Sequence, residues 1–416
     1  MARNVKGAGG RQREELLDLA WKLAARDGLA ACTYRALAAE AGTSPTPFVR
    51  CFPTRQELLL GLFEKLASGE EESRGEMART GDPLDALIAE GLMVLEEDAV
   101  SADRRRVSVD MAFEGARDPA LGRRVRARDR ERAGRWLELL DEGGSRGLVR
   151  EDRLAGEILD QLVSLLDGLV FANVIYPKRL SSEHVSRLWE GGVRRLVDPA
   201  VSPGVHQRLV IPDGPTSRTL LLGDREITRR QELLGVAFRV TARDGLAGLS
   251  FRSLAREAGT STAPFTYAFG TREKLLADMV RSIWAGIFEV RELASMIPSP
   301  VDRFFAEWAA EFSDDREQVD LERTYYELHH GALTDPSLAR LLLEGDEHGF
   351  AVTMALIEAA RGQGLVRDDV SAEDIVDTLY ALVDGIGLRR GLLAEKRPSG
   401  YRSALWEDAG RRILAP

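Results

Sequence analysis

Apolar residues along this chain recur at intervals of three and four, which is the spacing of one face of an α-helix. Two stripes of this kind are 217 positions apart: Leu16, Leu17, Ala20, Leu23 and Ala24 near the start, and Leu233, Leu234, Ala237, Val240 and Thr241 later. No run of residues alternates between apolar and polar as a half-buried strand does. The pattern therefore predicts an all-α protein.

The same offset relates most of the chain to itself. Residues 26–60 and 243–277 share 20 identities in 35 ungapped pairs, and the strings "GLVRED" and "GLVRDD" begin at positions 147 and 364. A repeat of this length indicates two complete modules in tandem, not a short motif. We divide the chain into a first head (1–60), a first helical body (61–198), a linker (199–224), a second head (225–277) and a second helical body (278–416).

The linker is rich in proline and glycine and has no helical period. A flexible segment of this length has a root-mean-square reach of roughly 25–30 Å. That reach is enough to place two modules side by side.

Each head contains the signals of two short helices joined by a tight turn, in "GTSPTPFVRCFPTRQELL" and "GTSTAPFTYAFGTREKLL". In the first copy Thr33 is placed to cap the first helix, and Gly42 is placed to end it in a left-handed conformation. Ser44 is placed to cap the second helix, with Pro45 at its first position. Phe48 and Phe52 are four residues apart, so they point one face of this helix into the core. The string predicts a helix-turn-helix, whose second helix enters the major groove of DNA.

The residues predicted to meet DNA are those that point away from this core. On the second helix of each copy they are Pro45, Thr46, Val49 and Arg50, and Thr262, Ala263, Thr266 and Tyr267. Arg55 and Arg272, in the first turn of the following helix, are placed for phosphate. The predicted set also contains the hydroxyl residues Thr33, Thr43, Ser250 and Thr260. A basic arm at the start of the chain is expected to reach an adjacent groove: Arg3, Lys6, Arg11 and Arg13.

The charge distribution agrees with this interpretation. The net charge of the chain is −10, yet residues 1–60 and residues 222–282 each carry +3, so all other residues together carry −16. Mildly basic heads on acidic bodies suit a protein whose heads touch phosphate while its bodies repel it.

The strings "TYRALAAEAGTSPTPFVRCFPTRQELL" and "SFRSLAREAGTSTAPFTYAFGTREKLL" resemble the helix-turn-helix of the tetracycline-repressor (TetR) family of transcriptional regulators. Many members have a phosphate-binding tyrosine where this chain has Val49 and Thr266. The second copy is similar to the variant with the tyrosine one place later, at Tyr267, whereas the first copy has Arg50 there. The resemblance implies a regulator that binds double-stranded operator DNA, with phosphate contacts built differently in its two heads.

The resemblance also implies a homodimer in which the last two helices of each module pair. Here the candidate pairing helices are residues 153–176 and 182–197, and residues 372–393 and 398–413. Our hypothesis is that they pair within one chain, giving a monomer that acts as a covalent pseudo-dimer; further dimerisation is left open. Because the two recognition faces differ, the operator is expected to have two unlike half-sites.

Family resemblance further implies a small apolar effector bound in a helical body. The second body, residues 278–416, contains twelve aromatic residues, whereas residues 61–205 contain six. We therefore favour the second body, with the predicted lining Trp308, Phe312, Tyr325, Tyr326, His329, Phe350, Met354 and Tyr380. The alternative is that most of these side chains are ordinary core residues.

The sequence contains no convincing catalytic triad, carboxylate pair or phosphate loop, so neither an enzyme nor a cofactor is expected. His329 and His330 have no further ligands at metal-binding spacing, so no metal site is expected either. The absence of both a secretory signal and an eighteen-residue apolar run favours a cytoplasmic protein with no membrane partner. The alternative function is a helical interaction or scaffold protein in which one or both heads no longer bind DNA.

Overall fold

The computed structural model describes residues 2–76, 81–201, 229–309, 312, 315–393 and 397–416. Over these residues the regular structure is helical and contains no strand, as the apolar period predicts. The predicted linker lies outside the described residues from position 202 onward. The helices fall into two compact units, Met1–Gly147 with Val170–Glu190 and Leu148–Leu169 with Gly191–Pro416.

The first unit contains the first head and most of the first body. Its helices are α1 (Ala2–Asp27), α2 (Tyr34–Glu40), α3 (Thr46–Cys51), α4 (Arg55–Glu76), α5 (Pro83–Leu95), α6 (Ala99–Arg117) and α7 (Pro119–Ser145). A short 3₁₀ turn, Leu29–Ala31, follows α1. Two more helices, α8 (Ala155–Ile175) and α9 (Ser182–Val197), are shared between the two units.

The second unit contains the second head and the second body. Its helices are α10 (Arg229–Gly248), α11 (Phe251–Glu257), α12 (Ala263–Phe269), α13 (Arg272–Ala294), α14 (Pro300–Ala309), α15 (Arg316–Ala332), α16 (Pro336–Gly362), α17 (Ala372–Leu392) and α18 (Tyr401–Leu414). The last two agree closely with the predicted pairing segments.

Each head is built around the two phenylalanines of its second short helix. Phe48 and Phe52 are fully buried among leucines of α1 and α4, and Phe265 and Phe269 are buried in the equivalent cluster of the second head. Gly42 has a φ of 61°, the left-handed conformation in which a helix commonly ends. The prediction of a helix-turn-helix is confirmed in both copies.

One detail of the predicted turn is wrong. Helix α3 begins at Thr46, and its N-cap position is occupied by Pro45 without any side-chain capping bond, so Ser44 is not its cap. Pro45 already has right-handed helical torsion angles, φ −63° and ψ −17°, so the helix opens within one residue of the predicted position but without the predicted side-chain cap.

The boundary between the compact units does not follow the boundary between the two sequence repeats. Residues 148–169 and 191–201 of the first half belong to the second unit, where α8 crosses α17. A Cβ added to Gly168 would lie 1.7 Å from the carbonyl oxygen of Ala381, and one added to Gly385 would lie 1.7 Å from that of Ser164. These two contacts are exchanged by the offset of 217, so the crossing has a local twofold character. Glycine is required on both sides because the backbones touch there.

Helix α8 is the one described helix that is long and apolar enough to cross a membrane, judged by length and composition. Within the structure 83% of its most apolar window is buried. It also carries Asp160 and Asp167, whose carboxylates bind Arg397 and Arg389. These are properties of a core helix that packs against other helices.

Candidate functional site

The second helix of each head presents the predicted residues to solvent. In the first head Pro45, Thr46, Val49 and Arg50 are exposed. In the second head Thr262, Ala263, Thr266 and Tyr267 are exposed, and Tyr267 as a whole residue is 95% exposed. An aromatic ring held this far into water contributes little to the fold and is available to an external partner.

The four additional hydroxyl residues divide into two kinds. Thr33 and Ser250 are N-caps: each side chain accepts a hydrogen bond from a backbone N–H of the helix that follows, at 3.2 and 3.1 Å. Thr43 and Thr260 are exposed in the turn, and their backbone N–H groups donate to the preceding short helix at 2.9 Å in both heads. DNA contact by these residues stays a prediction.

The arginines predicted to hold phosphate have different surroundings in the two heads. Both guanidinium Nη atoms of Arg55 donate to the carboxylate of Glu114 in α6, at 3.2 Å each. Arg272 instead donates to the backbone carbonyl oxygens of Leu246 and Leu249, at 2.9 and 3.3 Å. Position 331, which corresponds to Glu114, is a glycine. The first head is therefore tied to its own body by an ion pair that the second head lacks at this position.

Further hydrogen bonds join the first head to its body. Gln56 donates to Asp118 at 2.9 and 3.0 Å, and the backbone N–H of Leu29 donates to buried Asp110 at 2.7 Å. In the second half a Cβ on Gly331 would lie 2.2 Å from the Leu246 side chain, and the hydroxyl of Thr324 donates to the carbonyl oxygen of Phe238 at 3.1 Å. The two heads thus rest on their bodies through different chemistry.

The predicted basic arm is only partly described. The guanidinium of Arg13 lies over the ring of Phe52, 5.0 Å from its centroid, which is a cation–π contact inside the head. Arg11 is exposed, and the side chains of Arg3 and Lys6 lie outside the described residues. Arg50 donates to Gln12 of α1 at 2.5 Å, so the recognition helix and the arm are linked in the first head.

The predicted effector residues of the second body form two aromatic clusters. Tyr380 packs against Trp308 and Phe350, with ring centroids 5.3 and 6.3 Å apart. Tyr325 packs against Tyr326 and His329 at 5.3 and 4.1 Å. Phe312 belongs to a neighbouring group around Trp406, at 6.0 Å, and Met354 is half-buried. These positions stay a prediction of a ligand site.

Polar residues that the aromatic pattern did not indicate lie among these rings. Tyr380 and Thr353 share a hydrogen bond of 2.9 Å, and Arg291 donates to both of them at 3.4 Å. Buried Glu307 faces Arg291 at 3.4 Å, and loss of hydration raises the pKa of its carboxyl despite that charge. A charged residue within an otherwise apolar helical stripe is the sequence signal that would have identified Arg291.

A second polar group surrounds His329, which is buried and whose ring Nε2 lies 3.3 Å from a carboxylate oxygen of Asp346. Burial lowers the pKa of this histidine, but the contacts with Asp346 outweigh it and the net direction is upward. Nearby Asp384 is removed from water, which raises the pKa of its carboxyl to about 7. Among the described residues, no group of three His, Cys, Asp or Glu side chains is arranged to hold a metal ion.

One tryptophan shows how the two bodies differ. In the first body Trp189 packs on Gly91 and its indole N–H donates to the carbonyl of Ile88 at 2.9 Å. In the second body the residue equivalent to Gly91 is Trp308, whose ring lies 6.4 Å from Trp406. The buried indole N–H of Trp406 has no hydrogen-bond partner among the described residues. Replacing a glycine by tryptophan fills the space that the indole uses in the first body.

Comparisons with known proteins agree with the repeated helix-turn-helix. The family model of bacterial regulatory proteins of the tetR family matches residues 16–62 and 233–279. The model of the C-terminal domain of BetI-type transcriptional repressors matches residues 83–198 and 300–409, which is more than half of the chain. The chain belongs to the TetR family. It is a tandem member, with two DNA-binding helix-turn-helix domains and two C-terminal domains in one polypeptide.

Solved TetR-like structures each match about one half of this chain. A transcriptional regulator from Rhodococcus sp. Rha1 is 21% identical, with a TM-score of 0.39, and the match covers 44% of this chain and 94% of that one. The ketosteroid regulator KstR2 of Mycobacterium tuberculosis is 17% identical, with a TM-score of 0.37 and coverage of 44% and 92%. A protein described as a transcriptional regulator from Saccharomonospora viridis, solved with choline, is 21% identical, with a TM-score of 0.40 and coverage of 45% and 98%. No curated protein matches the chain.

Proposed function

We propose that this tandem TetR-family regulator is a cytoplasmic, ligand-responsive repressor whose two halves pair within one chain. Its two unlike heads read an asymmetric operator, and a small apolar effector bound in a helical body releases the DNA. The observation that carries the proposal is the crossing of α8 and α17. There each of two equivalent glycines, one from each half, lies against the backbone of the other half. In a dimer of single modules such a crossing joins two chains; here it joins two halves of one polypeptide.

Charged contacts between the first half and the last two helices also support pairing within the chain. Arg389 of the second half donates to Asp167 of the first at 2.6 Å, and Arg150 of the first donates to Asp408 of the second at 2.9 Å. Arg150, Asp408 and Arg389 are all buried. Buried charges are tolerated only when they are paired, so these residues require the other half to be present.

An asymmetric operator follows from the recognition faces. The first head offers Val49 and Arg50, and the second offers Thr266 and Tyr267 at the same positions. Arginine recognises guanine or phosphate, whereas an exposed tyrosine contacts phosphate or sugar. Two heads of different chemistry therefore select two different half-sites, about one helical turn of DNA apart.

The second body is the favoured location for the effector. It combines aromatic rings with a few convergent polar groups, which is the composition of a small-molecule site. The Thr353–Tyr380–Arg291 network would orient polar atoms of the effector, and the unpaired indole N–H of Trp406 is a donor available to an effector oxygen. An effector that couples to the heads by only about 1–3 kcal/mol weakens DNA binding about 5–150-fold.

The experiment that tests DNA binding uses the full chain and fluorescent fragments of the promoter upstream of its own reading frame. Anisotropy titrations at several salt concentrations should show specific binding whose affinity falls steeply with salt. Once the site is mapped, symmetrised versions of either half-site should bind more weakly than the natural asymmetric site. Equal binding to all three would contradict the asymmetric reading.

Light scattering coupled to size exclusion tests the pairing. A mass near 45.9 kDa at micromolar concentration is expected, and a mass near twice that value at the lowest concentration would contradict pairing within the chain. For the effector, a panel of hydrophobic drugs is screened by thermal shift on the wild type and on Tyr380→Phe, which removes one hydroxyl of the network. Hits that respond equally in both proteins would place the site elsewhere.

The scaffold alternative has one observation in its favour. The bidentate Arg55–Glu114 ion pair occupies the arginine that would otherwise hold phosphate in the first head. If the first head no longer binds DNA, the natural site and a fragment containing only the half-site of the second head will bind equally well. If neither head binds DNA, no promoter fragment will show salt-dependent binding in the anisotropy titrations.

A further inference from the structure

The first body contains one strongly basic segment. Residues 61–198 carry a net charge of −6, yet residues 117–135 within them hold eight arginines and three acidic residues, a net charge of +5. The equivalent segment of the second body, residues 334–352, holds one arginine and four acidic residues, a net charge of −3. The two bodies thus have opposite charge at the same place in the fold.

Some of these arginines are bound to carboxylates of the same body. Three side chains of α7 are held in this way, and their acceptors lie in α4, in α7 itself and in α5. The pairs are Arg128 with Glu70 at 2.7 Å, Arg132 with Asp129 at 2.9 Å and Arg135 with Glu90 at 3.3 Å. These arginines are part of the packing of the body.

Four other arginines of α7 are not used in this way. Arg123, Arg124 and Arg130 are exposed and Arg126 is half-buried. Over the part of the chain that the structure describes, no carboxylate forms an ion pair with any of the four. We call these four residues the α7 arginine patch.

The fold does not benefit from the α7 arginine patch. Arg126 lies three residues from Arg123 and four from Arg130, so the three cations are neighbours on the helix surface, where like charges repel and weaken the helix. The equivalent positions of the second half keep one cation: Arg340, Leu341, Leu343 and Glu347. An arrangement that costs stability and is confined to one half favours an anionic partner outside the chain.

The start of α7 lies against the first head. Its N-cap, Asp118, accepts hydrogen bonds from Gln56 in the first turn of α4, at 2.9 and 3.0 Å. Leu121 is buried in the core cluster of the head, and Val125 packs against the same cluster. Arg123 lies between these two residues, about 6 Å along the helix axis from the first residue of α7. The patch therefore begins beside the end of α4 that is predicted to face phosphate.

We propose that the α7 arginine patch is a second phosphate-binding surface of the first half. Its partner is the backbone of the double-stranded DNA that flanks the half-site of the first head, so the inference rests on the DNA binding proposed above. The patch supplies phosphate contacts that this head lacks, because the head has no equivalent of exposed Tyr267 and its Arg55 is bound to Glu114. In the second half the equivalent segment is acidic and would repel the DNA backbone.

The composition of α7 favours DNA over an anionic membrane as the partner. A helix that lies on a membrane surface presents large apolar side chains beside its cations. No residue of α7 is among the large apolar residues that the described chain exposes. Duplex DNA carries one negative charge per about 1.7 Å of its axis, which suits a row of cations without apolar neighbours.

The experiment measures the salt dependence of binding of the full chain to a fluorescent promoter fragment that contains the mapped operator. Each phosphate contact that is lost should make the slope of log K against log salt concentration shallower by about 0.9, so Arg123→Gln with Arg124→Gln should make it shallower by about 2. Arg123→Lys with Arg124→Lys keeps the charge and should keep the slope. The matched control is Arg146→Gln, about 35 Å further along α7, which should leave the slope unchanged.

Trimming the DNA locates the contact. The fragment is shortened to the edge of the operator on one side, then on the other side, and the wild type is compared with the double Gln variant on each fragment. One of the two trims should remove the difference between the two proteins, and the other should leave it. This comparison also separates a contact with flanking DNA from a general effect of net charge.

Several results would overturn the inference while leaving the proposed function intact. They are equal slopes for the wild type and the double Gln variant, a change per charge in Arg146→Gln as large as that in the double variant, and a difference that survives both trims. Binding of the wild type to phosphatidylserine vesicles that the double variant loses, with unchanged DNA slopes, would assign the patch to a membrane. A wild type without salt-dependent binding to any promoter fragment would contradict the proposed function itself. If the double Gln variant loses helicity by circular dichroism, Arg123→Gln alone is measured against Arg146→Gln.

Discussion

Replacing Gly168 by alanine tests the crossing of α8 and α17 directly. Alanine normally stabilises a helix relative to glycine, by about 0.5–1 kcal/mol. At position 168, however, the new Cβ would lie 1.7 Å from the carbonyl oxygen of Ala381, and real Cβ contacts essentially never fall below 3.0 Å. The atom that the new Cβ meets belongs to the backbone of α17, which cannot move aside as the tip of a side chain can. The two helices must therefore separate.

The size of the effect follows from the two opposing terms. Overpacking of this kind costs about 1–3 kcal/mol of folding free energy. The higher helix propensity of alanine offsets only about 0.5–1 kcal/mol of that cost. Gly156 provides a matched control on the same helix, because a Cβ there meets nothing within 4 Å. We expect Gly156→Ala to be neutral or stabilising and Gly168→Ala to be destabilising, with a gap of about 2 kcal/mol between them.

The assay is thermal unfolding of the full chain followed by circular dichroism and calorimetry. For a unit of this size a gap of about 2 kcal/mol corresponds to a difference in Tm of roughly 4–8 °C. Gly385→Ala should behave like Gly168→Ala, and the double variant should cost less than the sum, because one separation of the helices relieves both clashes. If Gly168→Ala melts at or above the temperature of Gly156→Ala, the crossing and the pairing derived from it are refuted.

Three further predictions concern the heads and the second body. Tyr267→Ala should weaken binding to the mapped operator by about 1–3 kcal/mol, measured by anisotropy, whereas Met296→Ala, which truncates another well-exposed side chain, should leave it unchanged. Glu114→Gln should release Arg55, so the salt dependence of DNA binding should steepen by about one phosphate contact while the free energy of unfolding changes by less than about 1 kcal/mol; an unchanged slope would mean that Arg55 does not reach DNA. The pKa of Asp384 is raised to about 7 in the folded state and is about 3.9 in the unfolded state. Between these pH values the folded state binds a proton that the unfolded state has lost, so the free energy of unfolding should fall as pH rises from about 4 to 7. Urea unfolding of Asp384→Asn should show a shallower fall over that range, and identical pH profiles for the variant and the wild type would contradict the assignment.

Much of the fold was readable because it depends on local signals. The period of the apolar residues, the cap at Thr33 and the glycine at 42 depend on backbone chemistry within a few residues. The offset of 217 then implied that whatever the first module forms, the second forms as well. The exposed positions of the recognition helices follow from the same period, since burying Phe48 and Phe52 fixes which face is left in water.

The candidate effector region was only partly readable. Aromatic residues stand out in composition, so Trp308, Tyr325 and Tyr380 could be singled out from the sequence alone. Thr353 could not, and Arg291 stands out only as a charge within an apolar helical stripe, because both residues meet Tyr380 only after distant helices pack together. The same limit applies to Arg55, whose ion pair with Glu114 joins residues 59 positions apart.

By itself the sequence determined the helices, the tandem repeat and the outward faces of the heads, since these follow from spacing along one chain. Only the tertiary structure decided that residues 148–169 pack with the second half, and that Gly168 and Gly385 lie at the crossing. Many glycines in the sequence are alike, and nothing local distinguishes Gly156, with open space beside it, from Gly168, which touches another backbone. A close approach between two helices depends on how two segments distant in sequence pack together. The residues of either segment alone therefore do not determine the distance between them.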